Sequence, residues 1–252
     1  MEITEKLDYK ELINGKIPPW VMRFIKTTGR AINKYNMIKD GDEVLLAVSG
    51  GKDSLALALA LSIRLKWLPV KYTLKALMIN WIEHPIPIEY NALLKTYFND
   101  LGIELEIVDE PQFPDSFAGN FNCYLCSRNR KRVLFETARH SNAKLIAMGH
   151  HLDDLVETSM MNLCFRANFS SMLPVQEFFD GSLHIIRPMI EVHESVTRRL
   201  AETYNLPAVK PVCPYDQTNI RSQLKPIIKS LAKMDKLTRE HIYNAHNFDY
   251  KL

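Results

Sequence analysis

Val44-Leu45-Leu46-Ala47-Val48 runs directly into Ser49-Gly50-Gly51-Lys52-Asp53-Ser54, and a helix-forming run from Leu55 to Trp67 follows at once. A short, continuous apolar run is typical of a strand that is buried on both faces of a sheet. Adjacent glycines let the backbone make a tight turn that other residues resist. This stretch therefore predicts a buried strand, a tight loop and a helix in direct succession.

The same alternation repeats along the chain. Further strands are predicted at residues 73–79, 104–108, 145–148 and 184–188, and helices at 18–37, 90–101, 124–141, 153–165 and 192–204. Residues 166–182 are predicted to form a polar loop, and residues 220–246 a basic helical tail. Repeated strand–helix units predict an α/β fold, a doubly wound parallel sheet with helices on both faces. We expect a helical extension at 1–40, the main domain at 41–215 and a helical tail at 216–252.

Composition and charge set broad limits on the class of protein. The chain has 252 residues, of which 46% are hydrophobic, so it can bury a sizeable core. Its net charge of +3 argues neither for nor against nucleic acid as a partner. The first residues are charged, and the longest apolar run, from Leu55 to Ile63, is far shorter than a membrane span. We therefore expect a soluble, cytoplasmic protein that does not associate with membranes.

The glycine loop has the chemistry of a phosphate-binding site. Gly50 and Gly51 let the backbone approach a bulky anion, and the amides at the start of the following helix would face that anion. Lys52 adds a compact positive charge, while Ser49 and Ser54 add hydroxyl donors. Asp53 is suited either to hold a divalent cation or to complement the positive end of the helix. The spacing differs from the Walker pattern, which has four residues between its first glycine and Gly-Lys-Ser/Thr.

Four cysteines occur in the chain, and two of them form a C-x-x-C pair, Cys123-Tyr124-Leu125-Cys126. This spacing is compatible with zinc binding, with a redox pair and with part of an iron–sulfur site. Cys213, between Pro211 and Pro214, is the natural third ligand if the fold brings it near the pair. Cys164 lies in an apolar helical run, and we expect it to be a core residue.

A second motif, Gly149-His150-His151-Leu152-Asp153-Asp154, follows a predicted strand and opens a predicted helix. It should therefore lie at the same sheet edge as the glycine loop. Asp153 and Asp154 are candidates to place magnesium or to contact a nucleotide, and the alternative for Asp153 is a helix cap. His150 and His151 are candidates to polarise a phosphate or to line the substrate pocket.

Basic residues cluster in three segments, and each cluster is either a solvated helix face or part of a platform for RNA. The candidate platform residues are Arg23, Lys26, Arg30, Arg128, Arg130, Arg132, Arg221, Lys225 and Lys229.

The glycine loop resembles the PP-loop of ATP pyrophosphatases, which cleave ATP between the α and β phosphates. Together with the C-x-x-C pair, the second motif and Cys213, it makes the chain similar to the tRNA 2-thiocytidine synthetase family from about residue 20 to residue 225. The resemblance implies that ATP, with Mg2+, adenylylates the C2 oxygen of a pyrimidine in tRNA. Sulfur would then come from a [4Fe-4S] cluster, which in that family is held by three cysteines and has one iron without a protein ligand.

The resemblance also implies a set of site residues. Lys52 and Asp53 would act in catalysis, with Cys123, Cys126 and Cys213 as the cluster ligands. The nucleotide would contact Ser49, Gly50, Gly51, Lys52, Asp53, Ser54, Gly149, His150, Asp153 and Asp154. The implied partners are tRNA and a sulfur donor, either a cysteine desulfurase or free sulfide, and the implied assembly is a homodimer.

Several alternative functions share parts of this pattern. Synthesis of 2-thiouridine would use the same site on another base. Lysidine synthetases attach an amine to an adenylylated base, which needs no converging cysteines, and NAD or GMP synthetases adenylylate a small molecule. A non-catalytic alternative is an iron–sulfur or zinc sensor with a vestigial nucleotide site.

Overall fold

The computed structural model describes residues 7–113, 123–209 and 220–246. Within these ranges the strands are β1 Glu43–Val48, β2 Thr73–Trp81, β3 Glu104–Glu110, β4 Leu145–Met148, β5 Val175–Phe178 and β6 Leu183–Ile186. The helices are α1 Tyr9–Ile13, α2 Pro19–Lys34, α3 Lys52–Trp67, α4 Ile88–Asp100, α5 Cys123–His140, α6 Leu152–Arg166, α7 Glu194–Thr203, α8 Ile220–Met234 and α9 Thr238–Asn244. None of the described helices is long and apolar enough to cross a membrane.

The six strands form one sheet in the order β3-β2-β1-β4-β6-β5. β1 pairs in parallel with β2 on one side and with β4 on the other, and β4 pairs in parallel with β6. The chain thus winds from β1 towards β3 in one direction and from β4 towards β6 in the other. This confirms the predicted doubly wound α/β fold.

Side chains alternate between two apolar layers, as strands buried on both faces require. Leu45, Leu77 and Ile146 face the layer that also contains Leu134 of α5. Their neighbours along the strands, such as Leu46, face the larger layer formed with α2, α3, α4, α6 and α7. Helices therefore cover both faces, with α3 buried along most of its length in the larger layer.

The segment 166–182 differs from the predicted polar loop because it contains β5, which pairs antiparallel with β6. The two strands are joined by a turn in which Phe179, Asp180 and Gly181 all have positive φ angles. The Ser182 amide closes the turn by donating to the Phe179 carbonyl at 3.1 Å. An Asp-Gly pair is a common hairpin signal, so the sequence did contain a marker for this hairpin.

The prediction that Cys164 is a core residue is wrong, because the structure leaves it exposed. The buried residues of α6 lie between Leu152 and Ser159, and the last turn of the helix continues beyond the core. The neighbours Leu163 and Phe165 are exposed for the same reason. Apolar neighbours in sequence were therefore a poor guide to burial at this helix end.

A buried carboxylate lies between α6 and the C-terminal helix α8. Glu157 is 4% exposed, and its carboxylate oxygens lie 3.6 Å from Arg221 Nε and 3.6 Å from Lys225 Nζ. Its Oε2 has no hydrogen-bond partner within the described part of the chain. Burial raises the pKa of Glu157 to about 7, helped by the nearby Asp154 and Glu194 and opposed by the two cations. The α6–α8 contact therefore contains a carboxyl group that titrates near neutral pH.

This shift makes the stability of the fold depend on pH. Because the folded protein holds the Glu157 proton up to about pH 7 and the unfolded chain releases it near pH 4.5, stability should fall as the pH rises through that window. Glutamine does not ionise, so Glu157→Gln should melt close to the wild type at pH 5 and roughly 2–6 °C above it at pH 8. Thermal unfolding followed by circular dichroism at both pH values measures this difference.

The matched control is Glu136→Gln, which removes a carboxylate that is 54% exposed and pairs with Arg132 on the surface of α5. Its melting temperature relative to the wild type should change little between pH 5 and pH 8. An equal response of both variants to pH would show that burial of Glu157 is not the cause.

Candidate nucleotide-binding and cysteine sites

The glycine loop lies at the carboxyl end of β1, next to the carboxyl end of β4, where the sheet changes winding direction. Crevices at such switch points bind ligands in open α/β sheets. The loop after β4 begins with Gly149, which touches the start of α3. A Cβ added to Gly149 would lie 3.0 Å from the carbonyl carbon and oxygen of Asp53 and from the Ser54 nitrogen. The two motifs found in the sequence are therefore in backbone contact, as expected.

The shape of the loop depends on its glycines and on its own hydroxyl groups. Gly50 has φ +75°, and a Cβ there would lie 3.0 Å from Met78 Cε, so a side chain would meet both strain and crowding. The Ser54 hydroxyl donates to the Gly51 carbonyl at 2.8 Å, and the Gly51 amide donates to Ser49 Oγ at 3.3 Å. The loop is thus held open ahead of the first turn of α3, and this arrangement fits the phosphates of a nucleotide.

Lys52 lies at the N-terminus of α3 between two carboxylates. Its ammonium donates to Asp53 Oδ2 at 2.9 Å and to Glu194 Oε1 at 3.2 Å. Burial opposes its charge, but the two carboxylates raise the pKa of Lys52 above its ordinary value. Lys52 is therefore positively charged at neutral pH, and phosphate oxygens could replace the carboxylates as its partners.

The first turn of α7 contacts both charged residues of the loop. Beside the Glu194 contact, the Thr197 hydroxyl donates to Asp53 Oδ1 at 2.5 Å. Although burial disfavours its charge, Lys52, Lys225 and Arg198 lower the pKa of Glu194 to about 2. Glu194 and Thr197 were not among the site residues predicted from the sequence. A glutamate in the first turn of a helix is common, so nothing local marked these residues.

Asp153 holds the start of α7 in place. Its Oδ2 accepts a hydrogen bond from the Glu194 amide at 2.7 Å, and its Oδ1 lies 2.5 Å from Arg239 Nε of α9. Asp153 therefore does not cap its own helix α6, which His151 and Asp154 cap; its carboxylate instead accepts from the first amide of α7. Contact of Asp153 with a nucleotide or with magnesium stays a prediction.

His151 and Asp154 cap α6 reciprocally. His151 Nδ1 accepts from the Asp154 amide at 3.2 Å, and Asp154 Oδ2 accepts from the His151 amide at 3.0 Å. The other imidazole nitrogen of His151 points to Asp53, with Nε2 3.8 Å from Oδ1. This pair therefore shapes the loop after β4 and joins it to the glycine loop.

His150 is a neutral imidazole in this site. Burial lowers its pKa to about 4, with Arg187 and Arg221 contributing and Asp154 opposing. Its Nδ1 has no hydrogen-bond partner among the described residues. His150 can therefore offer a hydrogen bond to a ligand at neutral pH, but not a positive charge.

The second half of the C-x-x-C pair is held near the carboxyl end of β3. Cys126 is half-buried, and its Sγ accepts a hydrogen bond from Gln112 Nε2 at 3.2 Å. The backbone amide of Gln112 in turn donates to the Glu83 carboxylate, and its carbonyl accepts from the Asn129 side chain. Gln112 was not identified from the sequence, because its contact with Cys126 depends on the approach of α5 to β3.

The predicted three-cysteine site is only partly visible. Cys123 is the first residue of α5, but its side chain and all of Cys213 lie outside the described residues. In residues 7–113, 124–209 and 220–246, no group of three or more His, Cys, Asp or Glu side chains is arranged to hold a metal ion. The ligand set Cys123, Cys126 and Cys213 therefore stays a prediction, as does magnesium.

Comparison with known proteins places this site in a family. A family model described as a PP-loop domain matches residues 23–226. The tRNA-cytidine(32) 2-sulfurtransferase of Janthinobacterium sp. (strain Marseille) is 33% identical, over 91% of this chain and 71% of that protein. The protein of the same name from Dechloromonas aromatica (strain RCB) is 32% identical, over 89% of this chain and 83% of that protein.

Among solved structures, the fold is similar to the U34-tRNA thiolase NcsA from Methanococcus maripaludis with its [4Fe-4S] cluster. The TM-score is 0.72 at 25% identity, and the match covers 90% of this chain and 78% of that chain. The match to the family model covers most of the chain, including both loops at the switch point. The chain therefore belongs to the PP-loop domain family, in the group that includes the tRNA-cytidine(32) 2-sulfurtransferases.

Proposed function

We propose that this protein is an ATP-dependent tRNA sulfurtransferase that converts a cytidine of tRNA to 2-thiocytidine. The observation that carries the proposal is the PP-loop at the β1–β4 switch point, with the charged Lys52 at the start of α3, in a chain one-third identical to proteins of that name. The relatives support the choice of tRNA as the substrate.

The first step would activate the base. A pyrimidine C2 oxygen leaves poorly, so it first attacks the α phosphorus of ATP, and the bond from that phosphorus to the β-phosphate oxygen breaks to release pyrophosphate. Lys52 and the amides at the start of α3 would stabilise the negative charge on the phosphates. We propose Mg2+ as a further counterion there, held by phosphate oxygens and by Asp53.

The second step would replace the activated oxygen. A sulfur nucleophile adds to C2, and the C2–O bond then breaks to release AMP with the former base oxygen. Cys123, Cys126 and Cys213 would hold a [4Fe-4S] cluster, which supplies that sulfur when bound. The only described thiol of the three, Cys126, fits this role, because it already accepts a hydrogen bond at the carboxyl edge of the sheet. We further propose that a cysteine desulfurase or free sulfide restores the sulfur, and that the enzyme acts as a cytoplasmic homodimer.

A second candidate product is 2-thiouridine. The observation in its favour is the structural similarity to a U34-tRNA thiolase, at a TM-score of 0.72. The chemistry at C2 is the same for both bases, so the same residues would serve either reaction. Nucleoside analysis separates the two products by mass.

Removing the charge of Lys52 should strongly slow activation of the base. Lys52→Met removes the cation at the phosphate-binding loop, and we expect tRNA-dependent pyrophosphate release to fall roughly 100- to 1000-fold. Glu194→Gln removes one of the two carboxylates that orient Lys52, and about a tenfold loss is expected. Release is measured by a coupled phosphate assay at saturating ATP and tRNA. Lys95→Met, on the exposed surface of α4, is the control and should keep wild-type activity.

The proposed product can be tested directly with two cysteine variants. Anaerobically reconstituted wild-type protein, incubated with ATP, sulfide and a total tRNA pool, should produce 2-thiocytidine detectable by mass spectrometry of the nucleosides. Cys126→Ser should lose both the product and the bound iron and sulfide. Cys164→Ser should keep all three, because Cys164 is exposed on α6 and belongs to no predicted ligand set. If the wild-type protein forms no new thionucleoside, the proposed function is refuted.

A further inference from the structure

We propose that the outer face of α2, formed by Arg23, Lys26, Thr27 and Arg30, binds the phosphate backbone of the RNA substrate. This inference rests on the proposed function, because it names where the tRNA would lie relative to the PP-loop. Three of these residues were among nine cationic candidates in the sequence, and ion pairs distinguish them from Arg132, Arg221 and Lys225.

α2 presents positive charge on one side only. It contains four cations, at positions 23, 26, 30 and 34, and no acidic residue. Its opposite side is buried in the core through residues such as Val21, Phe24 and Ile32. The cations are therefore confined to the outward face, where Pro19, Met22, Arg23, Lys26, Thr27 and Arg30 line an open surface patch.

The positive charge on this face is largely uncompensated. Within the described ranges, no carboxylate lies within 4 Å of the Arg23 or Lys26 side-chain nitrogens. Among the described residues, Arg30 and Lys34 share one carboxylate, that of Glu191, at 3.1 and 2.9 Å, and Lys34 also donates to the Tyr243 hydroxyl at 3.5 Å. Four cations thus face one carboxylate, so a polyanion on this face would gain attraction without first breaking ion pairs at Arg23 and Lys26.

Three of the six other candidate cations are paired with carboxylates, whereas no described carboxylate lies within 4 Å of the side-chain nitrogens of Arg128, Arg130 or Lys229. Arg132 pairs with both Glu110 and Glu136. On α8, Arg221 and Lys225 pair with the carboxylates of Asp154, Glu157 and Glu194. Using α8 as the platform would break these ion pairs next to the PP-loop, so the structure favours α2 over α8.

α2 is also connected to the nucleotide-binding loop. Glu191, the partner of Arg30 and Lys34, lies three residues before Glu194, which contacts Lys52. Three residues span at most about 11 Å, so the Arg30 end of this face approaches the start of α7. An RNA strand along α2 would therefore lead towards the site where the base is activated.

The spacing of the charges indicates an extended polyanion rather than a single phosphate. The cations recur every three or four residues, so they advance by roughly one helical turn of about 5 Å at each step. A linear series of this kind suits successive phosphates of one RNA strand. An acidic protein segment is the alternative polyanion, and the experiment includes it.

The test compares two double charge reversals in the full-length protein. Arg23→Glu/Lys26→Glu should weaken tRNA binding about tenfold or more at moderate salt. It should also reduce the slope of log affinity against log salt by about 0.7 for each RNA phosphate that the protein no longer neutralises. The control Lys95→Glu/Lys144→Glu makes the same change in net charge at two exposed lysines, one on α4 and one in the loop before β4. It should bind tRNA within about twofold of the wild type.

Binding is measured by filter retention of labelled tRNA over a range of salt, with ATP binding by calorimetry as a check on folding. Equal affinity of the two double variants, both with intact ATP binding, would overturn the proposal. Displacement of tRNA by polyglutamate at an equal concentration of charges would also overturn it, because the face would then not prefer RNA.

The outcome for the RNA-binding face can be separated from the outcome for the proposed thiolation. If the wild type forms no thionucleoside but its tRNA binding depends on Arg23 and Lys26, the RNA-binding face stands and the thiolation proposal falls. If the wild type thiolates tRNA and Arg23→Glu/Lys26→Glu binds tRNA as the control does, thiolation stands and the α2 face is wrong.

Discussion

The parallel pairing of β1 with β4 is the constraint on which the site depends. It places the loop after each strand at one edge of the sheet, and it brings them so close that a Cβ on Gly149 would crowd the backbone of Asp53 and Ser54 at 3.0 Å. Both motifs seen in the sequence meet because of this one contact. The glycine loop could bind an anion by itself, but the second loop adds the half-buried His150 and the capping pair His151–Asp154 at its side.

Charged contacts extend from the glycine loop to the C-terminal helices α7, α8 and α9. Lys52 binds Glu194 of α7, and Glu194 also lies 3.8 Å from Lys225 of α8. Asp153 joins the start of α7 to Arg239 of α9. The C-terminal helices are therefore tied to the nucleotide-binding loop by alternating charges. A ligand that draws Lys52 away from Glu194 would alter the electrostatic balance at α8 as well.

The sequence was informative where local chemistry decides the structure. An apolar strand followed by two glycines and a helix start has few alternatives, so the loop at 49–54 and its place in a doubly wound sheet could be predicted. The prediction was weaker where burial depends on which other elements pack against a helix or strand. Cys164 has apolar neighbours, yet it is exposed because α6 continues past the core. The hairpin of β5 and β6 was missed although Asp180 and Gly181 marked its turn.

Local sequence was sufficient to specify the strand–loop–helix unit at 44–67, the second motif at 149–154 and the cysteine pair, because each depends on residues adjacent in the chain. The partners that come from distant elements were set by the packing of the folded chain. Glu194 and Thr197 contact Lys52 and Asp53 because α7 packs on α3, and Gln112 contacts Cys126 because α5 approaches the end of β3. Charges on α2 and α8 look alike in sequence, but Arg221 and Lys225 of α8 pair with carboxylates of α6 and α7, whereas no described carboxylate lies within 4 Å of Arg23 or Lys26 on α2. Many of these partners lie far apart along the chain, and no local pattern specifies which distant residues will meet.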